Sequence, residues 1–323
     1  MNVRIKSALF AASLTVCASQ SNAQIYPSKP VRLVVGFAPA GAADYVARAL
    51  AEPLSRALGQ PVVVENRAGA GSSIAAEYVA KSAPDGYTLL IASPSSISVN
   101  PAVNPKLGYK ASDLAPVIKV SSSPLVIAAN KELGVNSIRE LIALAKKAPG
   151  KLNYASSGNG SAPHLSAVLF TRAAGVDMVH VPFKGGGPAV QSVVAGDTQL
   201  TFGTPPSVLP LMQAGRLKGL AVSSRVRSPL VPDLPGMAEA GLPDYDMSFW
   251  YGFFVPAGTP AAVINRIFEA SGQAVQLPAV RQAFAREGTE TATSKSPDEF
   301  AAFVAEDAKF WVRLVRDAKI TVD

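Results

Sequence analysis

Val31-Arg32-Leu33-Val34-Val35-Gly36-Phe37-Ala38-Pro39-Ala40-Gly41-Ala42-Ala43-Asp44, continued by a helical stretch to Leu58, decides the fold. The apolar run 31–37 predicts a strand and the Gly/Pro segment 36–44 a loop. Over 43–58 the residues Val46, Leu50, Leu54 and Leu58 recur on one helical face, and Gly59 supplies the stop. Strand, glycine-rich loop and helix in that order form one unit of a parallel-sheet α/β architecture.

The unit repeats outward from there. Strand 61–65, helix 72–81 and strand 87–92 complete three units of a first lobe. Two apolar runs, 114–120 and 125–129, are separated by Ser121-Ser122-Ser123-Pro124, which predicts the first crossing between lobes. The pattern restarts with helix 137–148, strand 151–155, helix 161–174, strand 178–181, a helix from Pro188, strand 199–202, helix 207–214 and strand 217–222. The aromatic run 245–255, ending at Pro256, reads as the return crossing, and helices 260–276, 279–287 and 297–319 complete the first lobe. The expected division is residues 24–123 plus 248–323 for lobe one and 124–247 for lobe two.

With 48% hydrophobic and 16% charged residues, the 323-residue chain is built to bury cores rather than to stay disordered. At about 150 residues per domain this length suits two domains, hence a cleft. The N-terminus orders basic Arg4 and Lys6, an apolar run 8–16 and Ser21-Asn22-Ala23, the layout of an export signal over residues 1–23. The apolar run is shorter than the roughly 20 residues a membrane span needs. Cys17 is the sole cysteine, and Val16 before it replaces the small residue of a lipid-attachment site, so cleavage after Ala23 leaves no thiol. Without Arg4 and Lys6 the 30 basic residues become 28 against 23 acidic, a net +5 that attracts anions. Lys and Arg are scattered without an aromatic stripe, which argues against nucleic acid.

Three loops join glycine and small hydroxyls to a helix start, the arrangement that offers free backbone N–H groups to an anion. The first is 36–44. The second is Tyr154-Ala155-Ser156-Ser157-Gly158-Asn159-Gly160-Ser161 followed by Ala162-Pro163-His164, with Ser161 as expected N-cap. The third is Val181-Pro182-Phe183-Lys184-Gly185-Gly186-Gly187-Pro188. Ligands of open α/β sheets bind beyond the carboxyl ends of strands, so loops one and two should face each other across the cleft. A phosphate loop would need Lys-Ser/Thr after Gly41, where Ala42-Ala43 stands. Such turns also occur merely to reverse the chain; three of them, split between two lobes of an exported chain, favour a ligand.

Together with Tyr26-Pro27, Lys29-Pro30, Glu65-Asn66-Arg67-Ala68-Gly69-Ala70-Gly71 and Pro84-Asp85-Gly86-Tyr87-Thr88-Leu89, these loops resemble the Bug family, the substrate-binding receptors of tripartite tricarboxylate transporters. The resemblance runs over essentially the whole mature chain. It implies a type II periplasmic binding protein: two α/β lobes that close on a small organic acid, a monomer with no cofactor, no metal and no catalysis, and partnered by membrane permease subunits. It also implies that the ligand carboxylate is held by backbone groups and ordered water. The holding loops contain Phe37, Ala40, Gly41, Ala42 and Asp44 on one side and Ser157, Gly158, Asn159, Gly160 and Ser161 on the other, with Gly186 from the third. Ser93, Ser95, Ser96 and Thr204 would meet the ligand's far end. Ala40 and Ala42 depart from glycines common in that family.

Individual residues keep two readings. Asp44 is a first-turn helix acid or a group orienting cleft water or a ligand amine; His164 is a ligand contact or a loop cap; His180 is structural. Trp250, Tyr251 and Phe253 read as packing at the lobe junction. Two histidines and no mature cysteine argue against a zinc site of His/Cys type, though not against an all-oxygen site. Gly69-Ala70-Gly71-Ser72-Ser73-Ile74 starts like a dinucleotide fingerprint but ends in Ile. The competing functions are a serine hydrolase, disfavoured because no Gly-x-Ser-x-Gly elbow occurs, and a solute sensor for a membrane signalling partner. C4 to C6 di- and tricarboxylates, acidic amino acids and aromatic acids all remain as ligands. The export reading predicts a mature chain beginning at Gln24; intact mass of periplasmic material checks this, and a retained N-terminus or a lipid on Cys17 would contradict it.

Overall fold

The computed structural model describes residues 26–317. The export signal, Cys17 and the cleavage at Ala23 lie outside the described residues, as does the expected end of the last helix at Lys319.

Val46, Leu50, Leu54 and Leu58 are buried, as their spacing requires, on α1 (Ala42–Leu58) behind β1 (Val31–Val35). Gly59 ends the helix in the left-handed region, φ 76°, with its N–H on the Ser55 carbonyl. β2 (Val62–Asn66), α2 (Ser73–Ala80) and β3 (Thr88–Ala92) follow. After β3 a π-helical segment Ser95–Val99 runs into α3 (Asn100–Val103). β4 (Leu114–Pro124) leads to β5 (Val126–Asn130), α4 (Ile138–Lys147), β6 (Asn153–Ser156), α5 (Ala162–Ala174), β7 (Val179–Pro182), α6 (Gly186–Ala195), β8 (Leu200–Gly203), α7 (Pro205–Gln213) and β9 (Leu217–Val222). The chain returns through α8 (Met237–Ala240) and β10 (Ser248–Pro256) to α9 (Ala261–Gln276), α10 (Pro278–Arg286), β11 (Glu290–Thr291) and α11 (Pro297–Asp317).

Two sheets result, one of six strands ordered β11-β4-β10-β3-β1-β2 and one of five ordered β7-β6-β8-β5-β9. Both are mixed, a correction to the parallel sheets expected. β1 runs parallel to β2 and β3, but β10 is antiparallel to β3 and β4. Likewise β6 is parallel to β7 and β8, whereas β5 is antiparallel to β8 and β9. The reason is topological: each sheet admits one strand that arrives from the other sheet, and such a strand enters from the opposite end.

The segment Ser121-Ser122-Ser123-Pro124 is a second correction, since it is strand rather than loop. It pairs with Tyr251, Trp250, Phe249 and Ser248 of β10. Serine is a poor strand former, but the aromatic strand beside it supplies a full ladder, and pairing context outweighs propensity. Just beyond, buried Ser223 joins both crossings: its Oγ accepts from the Leu125 N–H at 2.7 Å and donates to the Met247 carbonyl at 2.6 Å.

α11 is fastened to the first sheet through one carboxylate. Asp307 Oδ2 accepts from both indoles, Trp250 Nε1 on β10 and Trp311 Nε1 on α11, each at 2.8 Å. Both indoles are buried, so an unpaired N–H there would keep its desolvation cost of about 1–3 kcal/mol. Asp307→Ala should therefore destabilise the protein by about 2–4 kcal/mol, with Asp307→Asn costing less because one carbonyl acceptor remains. Urea unfolding of both variants checks this; an Ala variant within 0.5 kcal/mol or so of wild type would show that the two indole bonds are not needed.

Candidate functional site

At the junction of the two sheets, the helices that follow β1, β6, β7 and β8 begin around one small cavity. Its lining comprises Phe37, Gly41, Ala42 and Ala43 from loop one and the start of α1, Ser157, Ala162 and Pro163 from loop two and the start of α5, Gly186 at the start of α6, Thr204 before α7, and Phe249 and Tyr251 of β10. None of these side chains is charged. The first helical bonds are Tyr45 N to Gly41 O, Leu165 N to Ser161 O and Ala189 N to Gly185 O. By helix geometry the N–H groups of Ala42, Ala43, Ala162 and Gly186 therefore have no intrahelical acceptor. α7 contributes fewer donors, because Pro205 and Pro206 occupy its first positions; it offers the Thr204 hydroxyl, which is bonded to Ser207 Oγ at 3.1 Å.

The two sides touch. The Ala38 N–H donates to the Lys184 carbonyl at 3.2 Å, joining loop one to loop three. Gly71, at φ 57°, lies so near loop two that a Cβ there would stand 2.3 Å from the Asn159 carbonyl oxygen. Two further cavities adjoin the first. One, the larger, shares Phe37 and Ser157 and adds Gly158, Asn159, Gly71 and exposed Lys184. The other, very small, shares Ala42, Thr204, Phe249 and Tyr251. A wider groove of ≈ 1110 Å³ lies between the Ser95–Val103 region and α11, built wholly from elements of the six-stranded side.

Of the residues expected from the sequence, Phe37, Gly41, Ala42, Ser157, Gly186 and Thr204 line the central cavity, and Gly158 and Asn159 line its neighbour. Ala40 and Asp44 do not; they border a separate groove with Tyr45, Arg48 and Glu287. The buried Asp44 carboxylate is occupied by Arg48 Nε at 2.9 Å, Asn66 Nδ2 at 2.9 Å and the Ala40 N–H at 3.2 Å. Burial pushes that carboxyl up, but the hydrogen bonds from Arg48, Asn66 and Ala40 outweigh it and hold it below its usual range. Asp44 thus shapes loop one, holding Ala40 at φ 65°.

Ser93, Ser95 and Ser96 are buried behind the cleft rather than on its wall. Ser96 Oγ donates to the Ser93 carbonyl, whereas Ser93 Oγ, Ser95 Oγ, Ser72 Oγ and Ser161 Oγ have no partner among the described residues. Ser161 occupies the N-cap position of α5, as expected, but its hydroxyl makes no capping bond. The Gly160 N–H is taken instead by His164 Nδ1 at 3.0 Å, so the neutral ring carries its proton on Nε2. α6 starts at Gly186, before the expected Pro188.

Sequence reading missed Phe249 and Tyr251 as cavity wall. The available signal was the two-residue alternation of Phe249, Tyr251 and Phe253 against Trp250 and Phe254 in a strand crossing the cleft. It also missed the relation between the histidines. His164 and His180 stack at 4.0 Å with planes 2° apart, and His180 Nε2 lies 2.6 Å from Ser156 Oγ, which also bonds Gly158. The pair therefore braces loop two at Gly158 and Gly160. A Ser–His contact invites the hydrolase reading, but Ser156 is fully buried, it is not part of the cavity wall, and only burial perturbs His180, with no carboxylate to orient it.

Burial, and next the adjacent His180, lower the His164 pKa to about 3; burial lowers that of His180 to about 4. Histidine in the unfolded chain titrates near 6.5. Between those limits the unfolded state binds more protons, so the pair's contribution is fully present above about pH 6.5 and is lost as pH falls through 4 toward 3. Melting temperatures at pH 7 and 4.5 should thus drop further in wild type than in a His164→Gln/His180→Gln variant. Equal drops would remove the pair from the acid response.

Among the described residues no group of three or more His, Cys, Asp or Glu could hold a metal, and no helix is long and apolar enough to cross a membrane. The family model described as the tripartite tricarboxylate transporter family receptor matches residues 46–320. BugT of Bordetella pertussis is 39% identical over 311 residues, covering 96% of this chain and 95% of its own. The structure of R. palustris Rpa4515 with adipate superposes with TM-score 0.87 at 34% identity, covering 92% of this chain and 99% of that one. The periplasmic binding protein BugD gives TM-score 0.87 at 32% identity over the same shares. Two mixed α/β sheets with helix starts converging between them, and similarity along nearly the whole chain, place this protein in the Bug family of tripartite tricarboxylate transporter receptors, with the periplasmic binding protein fold.

Proposed function

We propose that this protein is a periplasmic receptor that closes two lobes on a small organic carboxylate and delivers it to the membrane permease subunits of a tripartite tricarboxylate transporter, acting as a monomer and without catalysis. The lobes are residues 24–123 with 248–323, and residues 124–247. The observation that carries the reading is the convergence of unpaired N–H groups from α1, α5 and α6, belonging to both sheets, on one cavity free of charged side chains. Helix starts favour a negative charge by about 0.3–1 kcal/mol each, more where partly buried. Phe37, Gly41, Ala42, Ser157, Ala162 and Gly186 would hold the carboxylate, with Gly158, Asn159 and Gly160 behind them. Thr204, on the cavity wall, would meet the far end. The adipate in the R. palustris relative is an acid of the size considered.

Ala42→Asp tests the grip. An acid in the first turn suits the helix, so the fold should hold. Its charge would sit among the donors meant for the ligand, and like charges about 4 Å apart at an effective dielectric near 20 repel by roughly 4 kcal/mol, about three decades of affinity. Ala42→Asn fills nearly the same space without charge. Calorimetric titration with a panel of small mono- and dicarboxylates should show the Asp variant far weaker than the Asn variant. Equal affinities would place the carboxylate elsewhere.

A further inference from the structure

Tyr251 lies on β10, where it pairs with Ser121 of β4 in the inter-sheet crossing. Its ring is 8% exposed, and it lines both the central cavity and the adjoining one that reaches Ser123 and Thr289. Phe249 meets it edge to face at 5.8 Å and fixes the ring. Other buried tyrosines satisfy their hydroxyls: Tyr109 donates to the Ser96 carbonyl at 2.6 Å and Tyr245 to the Ser166 carbonyl at 3.1 Å. The Tyr251 phenol is raised by burial alone, with no hydrogen bond offsetting it. Tyr154 shares that condition, but it stacks on His180 inside the five-stranded side and is not on the cavity wall.

No hydrogen bond to the Tyr251 hydroxyl occurs among the described residues, and the residue forms part of the cavity wall. It is therefore an unpartnered donor on a wall distinct from the helix starts. With no cation in that wall, recognition of the ligand's second polar group falls to neutral donors, the Tyr251 hydroxyl together with that of Thr204, which shares its hydrogen bond with Ser207. A site that presents a buried hydroxyl discriminates against a ligand lacking an acceptor there, because binding such a ligand leaves the hydroxyl unpaired.

We infer that Tyr251 is a specificity-determining residue whose hydroxyl donates to an acceptor on the ligand end remote from the gripped carboxylate, so that the site prefers acids with a second oxygen-bearing group over monoacids ending in hydrocarbon. The inference rests on the carboxylate-receptor reading above and names the class of acid within it. Two probe pairs test it, each differing only at the remote end: hexanoate against adipate, and benzoate against 4-hydroxybenzoate. Calorimetric titration of the mature wild type should favour the second member of at least one pair. Tyr251→Phe, which removes one oxygen and should melt near wild type, should weaken that member by about 10- to 100-fold while leaving its monoacid partner within about threefold. A variant that keeps the wild-type discrimination, or a wild type that does not discriminate within either pair, overturns the assignment while leaving the receptor reading intact. Failure of all four acids to bind wild type overturns the carboxylate reading, and the inference with it.

Discussion

The antiparallel pairing of β4 with β10 is the interaction on which the two-lobed architecture depends. These are the strands that leave and re-enter the six-stranded sheet, and they pair from Leu114 opposite Pro256 to Pro124 opposite Ser248. Because they lie side by side, the two crossings form one ribbon instead of two separate linkers. Ser223 extends the connection past the ribbon's end by bonding Leu125 and Met247 together. A loose linker would let the halves sample many orientations. The hydrogen-bonded ribbon fixes the sheets side by side, so helix starts from both meet at a single cavity.

What meets there is mainly backbone. The Asp44, Arg48 and Asn66 cluster neutralises its own charges beside the cavity and holds the Ala40 N–H, so loop one keeps its shape without extending a formal charge toward a ligand. Ala40 sits in the left-handed region at φ 65°, a conformation that costs an L residue roughly 1–2 kcal/mol. Glycine would adopt it freely, so the bond from Asp44 has a definite task at this position. On the other side the stacked histidines brace loop two by the same logic, with neutral rings and short local bonds.

Much of this was legible in the sequence, for identifiable reasons. α1 could be read because Val46, Leu50, Leu54 and Leu58 keep helical spacing up to a glycine stop, and β9 because an apolar run ends in clear turn residues. Ser121 to Pro124 misled because its strand character comes entirely from a partner more than a hundred residues away. The mixed sheets were hidden for the same reason, since strand direction is set by which strand arrives beside which. Of the site, the glycine loops were visible because close backbone approach leaves a compositional mark. The side of α1 on which Asp44 would act was not visible, because that depended on Arg48 and Asn66 competing for it. Ser93 and Ser95 were expected at the ligand's far end, yet the chain turns them into the interior through a π-helical segment no local pattern announces.

β10 shows why packing and function were hard to separate. Phe249, Tyr251 and Phe253 join one buried cluster, and Trp250 and Phe254 the other. The strand thus anchors α11 through Trp250 and Asp307 while exposing Phe249 and Tyr251 to the cavity. Gly252, in the middle of this crossing, invites a reading as a flexible hinge. Its backbone is not in the positive-φ region that only glycine adopts easily, and a Cβ there would fall 2.3 Å from Phe300 Cζ and 2.9 Å from the Ile118 carbonyl oxygen. The glycine therefore serves close packing of Phe300 on the strand. The register of β4 against β10 slips beside Tyr251 and again beside Phe253, leaving Val120 and Val117 without direct partners. Bulges of this kind concentrate twist, so β4 absorbs the extra residues while β10 presents Tyr251 to the cavity.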